Sequence, residues 1–176
     1  MQKQGSLPGG KVTELPEQRA RRAIDELLTA AGWLVQDRAD FDRNAGTGVA
    51  VREFALPAGP CDYLLFLDGK AAGVIEAKRE GVTLSGVAEQ SARYMDRLPE
   101  HLASWDQKLV YGYESTGEET WFTNRRDPKS RARRLFAFHR PEILRHWLQQ
   151  PDTLRGRLQH LPPLDTHGLR DCQVEA

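Results

Sequence analysis

The stretch from Asp62 to Lys78 constrains the fold of this chain more than any other. Two apolar runs flank Asp68-Gly69, and an Asp-Gly pair between apolar runs is the strongest short-range signal for a β-hairpin. Asp62 begins the hairpin, and Glu76 and Lys78 end it. Buried strands seldom carry unpaired carboxylates unless a ligand holds them. The stretch therefore predicts two antiparallel strands with a candidate site at their open end.

The pairing register decides whether these charges meet. Side chains alternate between the two faces of a strand, so Glu76 and Lys78 share a face. A two-residue loop would place Asp62 opposite Ile75, on the wrong face for Glu76. A three-residue loop ending in a left-handed Gly69 would bring the three charges onto one face. On this reasoning, a common site requires the three-residue bulged turn.

Two carboxylates and a lysine suit metal-assisted hydrolysis of a phosphodiester. A pair of carboxylates can hold Mg²⁺, which keeps several of its waters. The metal lowers the pKa of a bound water and offsets phosphoryl charge, while a lysine such as Lys78 positions the nucleophile or stabilises developing charge. The residues predict a metal-dependent nuclease. The competing interpretation is that Glu76 and Lys78 are surface charges that protect a strand edge.

The flanking segments complete a mixed α/β pattern. Pro16 opens a periodic helix that Gly32 ends, with Glu17 in its first turn. Helical spacing around residue 90 places Gln90 and Tyr94 on one helical face. Further strands are predicted at 49–56, 108–113, 120–124 and 135–138, and further helices at 141–150 and 154–161.

These motifs resemble the PD-(D/E)xK nuclease superfamily. The set of Asp62, Glu76-Ala77-Lys78 and Gln90-x-x-x-Tyr94 is similar to its RecB-like branch, which has a QxxxY motif. Other blocks resemble the amino-terminal endonuclease domain of the type I restriction enzyme R subunit (HsdR): Ala31-Gly32-Trp33, Val51-Arg52-Glu53-Phe54, Tyr113-Glu114-Ser115-Thr116-Gly117 and Phe122-Thr123-Asn124. The resemblance implies a restriction-endonuclease-like αβββαβ core, in which helices flank a central mixed sheet.

The resemblance also implies a metal site. Asp62 and Glu76 would bind the catalytic Mg²⁺ together with the carbonyl of Ala77, and Mn²⁺ can substitute for Mg²⁺. Glu17 would complete the surroundings of the metal. The implied activity is Mg²⁺-dependent cleavage of DNA with little sequence preference of its own.

Three further residues receive catalytic-site roles from the resemblance. Lys78 would be the catalytic lysine. Gln90 and Tyr94 would support the site or contact the DNA backbone. The chain departs from the motif at Cys61, which stands directly before the acid where the superfamily name has a proline.

Charge alone does not predict DNA binding. The chain has 25 basic and 25 acidic side chains, so no overall field attracts a polyanion. A local basic cluster spans residues 124–134 and is either a DNA-contacting surface or a solvated loop. Its candidate DNA contacts are Arg125, Arg126, Lys129 and Arg131.

The expected organisation has three parts: a flexible lead at 1–13, a nuclease domain at 14–150, and a helical extension with a linker at 151–176. The tail from Leu169 resembles the segment before the ATP-binding strand of a helicase motor. The resemblance therefore implies a longer polypeptide in which only the motor uses ATP. The implied partners are DNA and the methylation (M) and specificity (S) subunits of a type I restriction-modification complex.

Two alternatives stay open: another PD-(D/E)xK nuclease of DNA repair or recombination, and a catalytically silent docking module for restriction-modification subunits.

The two cysteines form no C-x-x-C pair, so we expect no zinc site and a reducing cytoplasm. No segment has the ~20 apolar residues that cross a bilayer.

Overall fold

The computed structural model describes residues 15–79, 81, 94–95, 98–162, 165, 167–168 and 170. The predicted flexible lead and Gln90 lie outside these residues. The described part is a mixed α/β fold, as expected. Its helices and strands are α1 (Pro16–Ala30), β1 (Leu34–Gln36), β2 (Gly48–Leu56), β3 (Gly59–Leu67), β4 (Lys70–Ala77), β5 (Tyr111–Ser115), β6 (Thr120–Asn124), β7 (Arg133–Leu135), α2 (Pro141–Gln149) and α3 (Leu154–Gln159).

The strands of the described residues form one seven-stranded sheet in chain order, from β1 to β7. The pairs β1–β2 and β4–β5 are parallel, and the other neighbours are antiparallel. Strand β1 was not predicted, because three residues are too few to show a period. Strand β7 begins two residues before its predicted position.

Helix α1 follows its sequence pattern closely. Pro16 occupies the first turn, where its missing N–H costs no helical hydrogen bond. Ala20, Ile24 and Leu28 are buried on one face of the helix. Gly32 adopts a φ of 91° directly after the helix, which is the left-handed conformation that favours glycine. This helix therefore lies against the sheet with its polar face at the surface, and Glu17 and Arg21 belong to that polar face.

Apolar side chains cover both faces of the central strands. One layer includes Ile24, Leu65 and Ile75, and the other includes Leu64 and Val74. Because β3 and β4 are buried on both faces, they read as continuous apolar runs rather than alternating ones. No helix among the described residues is long and apolar enough to cross a membrane.

The hairpin between β3 and β4 differs from the prediction at its turn. Asp68 and Gly69 have φ values of 47° and 73°, and Leu67 pairs with Lys70, which defines a two-residue loop. The predicted three-residue turn is therefore wrong. The register then shifts between Leu65 and Phe66, where β4 contains one extra residue.

The extra residue is Ala72, because Phe66 pairs with Ala71 and Leu65 pairs with Gly73. The backbone groups around this bulge find distant partners. Ala71 N–H donates to the Ala103 carbonyl at 2.8 Å, and the Ala72 carbonyl accepts from Val110 N–H at 2.9 Å. A non-local segment thus satisfies the backbone that the hairpin leaves unpaired.

Candidate active site

The bulge brings the predicted charges to one end of the sheet. Below it Tyr63 pairs with Ile75, and continuing this register by one residue places Asp62 opposite Glu76. The Asp62 Oδ2 atom accepts a hydrogen bond from Ala77 N–H at 2.8 Å. Lys78 Nζ lies 3.7 Å from Glu76 Oε2. The three side chains therefore meet as the hypothesis requires, although a bulge within β4 rather than a bulged turn brings them together.

Glu76 is the most buried of the three. It is 5% exposed, and its Oε1 atom has no hydrogen-bond partner among the described residues. Burial raises the pKa of Glu76 to about 7, and the neighbouring charge of Asp62 acts in the same direction. Lys78 opposes this effect only partly. A buried carboxylate with an unused oxygen is an environment that a bound cation would stabilise.

Asp62 is held by a residue that sequence reasoning missed. Arg21 Nη2 donates to Asp62 Oδ1 at 2.7 Å, and Arg21 Nη1 donates to Glu53 Oε1 at 2.7 Å. Glu53 is a non-glycine residue with a φ of 49° within β2. The one sequence signal for Arg21 is its position one helical turn after Glu17, on the same face of α1. No local pattern indicates that Glu53 reaches this site.

Glu17 lies beside the site and already has a counter-ion. Its Oε1 atom accepts a hydrogen bond from Arg79 Nε at 2.7 Å, and both side chains are exposed. Glu17 nevertheless lines a cavity of about 200 Å³ together with Asp62, Ala77 and Lys78. Its predicted place near the metal stays a prediction.

A second buried carboxylate stands next to Glu76. Glu114 on β5 pairs with Glu76 in the parallel register and is 3% exposed. The charge of Glu114 contributes to the raised pKa of Glu76, as the last of its causes. The predicted strand at 108–113 ended one residue before Glu114, so no role was assigned to Glu114 from the sequence.

A larger cavity of about 410 Å³ adjoins the smaller one. Arg21 and Asp62 line both cavities. The wall of the larger cavity also includes Arg38, Arg52 and Tyr63. The candidate site is therefore an open polar depression at one end of the central strands rather than an enclosed pocket.

The other candidate catalytic residues cannot both be placed. Gln90 is outside the described residues. Tyr94 is helical and half-buried, and it packs against the apolar layer that contains Leu64 and Val74. A Cβ atom added at Gly59 would lie 3.8 Å from its ring, so Tyr94 is near the β2–β3 turn.

The basic cluster lies away from the carboxylates. Thr120 at the start of β6 is level with Ala77 through Ser115, whereas the cluster follows Asn124 at the other end of the strand. Five strand residues separate the two ends by about 15 Å. A surface formed by this cluster would therefore contact DNA at some distance from the site of cleavage.

The cluster residues also differ among themselves. Arg126 donates to four carbonyls at the carboxyl end of α2, two in its last turn (Trp147 and Leu148) and two just after it (Gln150 and Pro151), at distances from 2.7 to 3.3 Å. This guanidinium thus closes the carboxyl end of the helix, which the charge pattern could not indicate. Arg125 is half-buried, and Lys129 and Arg131 are exposed.

The carboxylates of the site suit a metal ion that takes few protein ligands. Among the described residues, no group of three or more His, Cys, Asp or Glu side chains could hold a metal ion. Asp62 and Glu76 instead form a pair, and Glu76 offers a buried unpartnered oxygen. Mg²⁺ is commonly bound by one or two carboxylates and retained waters, so this pair fits Mg²⁺ better than a metal that requires a full protein cage.

Two comparisons with known proteins bear on this geometry. Residues 38–119, a little under half of the chain, match the family model of the type I restriction enzyme EcoKI endonuclease subunit second domain. The chain is 25% identical, over 219 aligned positions, to the type I restriction enzyme EcoKI endonuclease subunit of Escherichia coli (strain K12). That alignment covers 94% of this chain and 18% of the relative.

No solved structure matches the chain significantly. The two sequence matches agree with each other, and the family model spans β2 to β5, which carry Asp62, Glu76 and Lys78. Together they show that the chain is similar to part of a type I restriction enzyme endonuclease subunit.

Proposed function

We propose that this chain is the endonuclease domain of a type I restriction enzyme R subunit and that it hydrolyses DNA phosphodiester bonds in a Mg²⁺-dependent reaction through a PD-(D/E)xK core. The proposal extends the name of the curated relative, an endonuclease subunit, to a domain about a fifth of its length. The observation that carries it is the meeting of Asp62, Glu76 and Lys78 at one end of the central strands.

Asp62 and Glu76 would hold the metal, with the Ala77 carbonyl as a further donor and Glu17 at the rim of the same cavity. A bound Mg²⁺ supplies an activated water and offsets charge on the phosphoryl group. The buried Oε1 of Glu76 supports this assignment, because an ionised carboxylate there needs a cation more than an exposed one does.

Lys78 would orient the nucleophile or stabilise charge that develops on the phosphate. Its side chain is 17% exposed and its ammonium group is 3.7 Å from Glu76 Oε2. A partly desolvated ammonium beside the metal-binding carboxylates is favourably placed to act on the same phosphate oxygen. Gln90 and Tyr94 are proposed to support this geometry or to contact the DNA backbone.

DNA would cross the end of the sheet where Asp62 and Glu76 lie, with Arg125, Lys129 and Arg131 as more distant phosphate contacts. We propose that the domain has little sequence specificity of its own, as the resemblance to the HsdR endonuclease domain implies. Recognition would belong to the partner M and S subunits, and ATP would be used only by a motor domain of the R subunit. The assembly is proposed to act in the cytoplasm.

The test is an alanine scan in the assembled restriction complex. Asp62→Ala and Lys78→Ala should abolish DNA cutting while DNA binding and ATP turnover continue, because neither side chain belongs to the apolar core. Glu118→Ala, an exposed residue of the β5–β6 turn, is the matched control and should cut like the wild type. Unchanged cutting by both site variants would refute the proposal.

The alanine scan and one further assay separate the two alternatives. A silent docking module predicts wild-type cutting in Asp62→Ala. A repair or recombination nuclease predicts that the purified chain cleaves branched DNA specifically without M and S subunits. We expect neither result.

A further inference from the structure

Arg21 connects two carboxylates from different strands. Its two terminal nitrogens each donate at 2.7 Å, one to Glu53 on β2 and the other to Asp62 on β3. Side chains of Arg21 and Glu53 are 43% and 66% exposed, whereas that of Asp62 is 17% exposed. The guanidinium therefore reaches from the surface of α1 to a largely buried acid.

This contact uses the oxygen that a metal ion would need. Asp62 Oδ2 already accepts from Ala77 N–H, and Oδ1 accepts from Arg21. Mg²⁺ binds carboxylate oxygen at about 2.0–2.1 Å, so it would repel a guanidinium held on the same oxygen. Arg21 and a cation are thus competitors for Asp62 Oδ1.

Glu53 offers Arg21 a second anchor. Its φ of 49° is unusual for a residue other than glycine inside a strand, and such a conformation costs of order 1 kcal/mol or more. In the described structure the strained residue directs its carboxylate to Arg21. If Arg21 leaves Asp62, the contact with Glu53 keeps the guanidinium beside the site.

Arg21 also borders both cavities of the site. It lines the cavity that contains Lys78 and the larger one that contains Arg38. Release of Asp62 would therefore change the wall that the two cavities share. The movement needs only side-chain rotation, because the guanidinium is partly exposed.

We propose that Arg21 is a positioning residue that holds Asp62 in place of a divalent cation and releases it when a cation binds, while Glu53 retains the guanidinium. This inference rests on the proposed function, since it assumes that Asp62 is a metal ligand. It adds a competition within the chain that lowers metal affinity and keeps a positive charge beside the bound phosphate.

The test is a calorimetric Mn²⁺ titration of the purified 176-residue chain, which measures binding rather than cutting. Arg21→Gln should bind Mn²⁺ about tenfold more tightly than the wild type, because the competing charge-assisted hydrogen bond is absent. Arg21→Lys keeps the charge but cannot bridge two carboxylates, so it should tighten binding by about threefold. Arg145→Gln removes an ion pair with Asp68 and should leave the affinity unchanged.

A second readout is thermal stability, measured without and with Mn²⁺. In a chelating buffer, Arg21→Gln should unfold at a lower temperature than the wild type, because Asp62 loses its counter-ion. Saturating Mn²⁺ should remove most of that difference. If Arg21→Gln does not fold, Arg21→Lys carries the comparison, and circular dichroism decides which variant is used.

Each remaining outcome has a distinct meaning. Equal or weaker Mn²⁺ binding by the Arg21 variants, with binding still lost in Asp62→Asn, would overturn the competition and leave the proposed function intact. Wild-type affinity in Arg21→Lys alone would show that charge, not the contact, controls binding, and would also overturn it. Failure of every variant and of the wild type to bind Mn²⁺ would overturn the metal site itself and the inference with it.

Discussion

Replacing Glu76 with glutamine should stabilise the chain increasingly as the pH rises, provided that divalent cations are absent. Burial, followed by the charge of Asp62, raises the pKa of Glu76 from 4.5 to about 7 in the folded chain. The folded state therefore binds this proton more tightly than the unfolded state, and ionisation opposes folding. Stability is lost as the pH rises from 4.5 through 7, and the loss reaches about 3 kcal/mol above that window.

Glutamine resembles the protonated acid in shape and does not titrate. The free energy of unfolding of Glu76→Gln should exceed that of the wild type by about 3 kcal/mol at about pH 8 and by only about 1 kcal/mol at about pH 5. Any fixed effect of the amide cancels when the two differences are compared. The test is therefore how much the difference in unfolding free energy between Glu76→Gln and the wild type changes from one pH to the other.

The assay is urea unfolding in a chelating buffer, followed by tryptophan fluorescence at both pH values. Glu118→Gln, which replaces an exposed carboxylate, is the matched control and should track the wild type. A difference between Glu76→Gln and the wild type that stays constant or shrinks with rising pH would refute the buried-acid argument.

Three other changes test separate parts of the structure. Gly73→Ala should lower the free energy of unfolding by at least about 2 kcal/mol in calorimetry, because the new Cβ would meet the backbone of Tyr111 on β5; wild-type stability would disprove this packing. Arg126→Ala should destabilise the chain by about 2 kcal/mol without a matching loss of DNA affinity, and Lys129→Ala should do the reverse; a shared effect on DNA binding in a salt titration would contradict that separation. Burial raises the pKa of Cys61 to about 12, so in a Cys172→Ser background its alkylation at about pH 8 should require unfolding; rapid labelling of the native chain would count against it.

Local sequence patterns predict the strands and helices better than their register. The periodic apolar positions of α1 and the Asp68-Gly69 turn signal follow from interactions within a few residues. Helix α1 forms as expected, and a hairpin forms at Asp68-Gly69, although its loop has two residues rather than three. The bulge at Ala72 does not follow from local pattern, because its backbone bonds to Ala103 and Val110. The sequence of the hairpin alone does not indicate that its backbone bonds to these distant residues.

The same distinction applies to the site. Asp62, Glu76 and Lys78 could be selected because acids and a lysine at the end of apolar strands are a local anomaly. Arg21 and Glu53 could not, since their contacts join α1 to two strands and depend on how the helix lies on the sheet. The sequence does not indicate that a charged side chain on an exposed helical face contacts a buried acid.

The site geometry is consequently a property of the whole sheet rather than of the hairpin. With the observed two-residue turn and no bulge, side-chain parity would place Asp62 opposite Ile75 and direct its carboxylate to the other face of the sheet from Glu76. One unpaired residue in β4 reverses that parity, and the segment 103–110 supplies the hydrogen bonds that make the unpaired residue tolerable. The convergence of the acids therefore depends on packing between β4 and the segment that leads into β5, at the end of the sheet remote from the carboxylates.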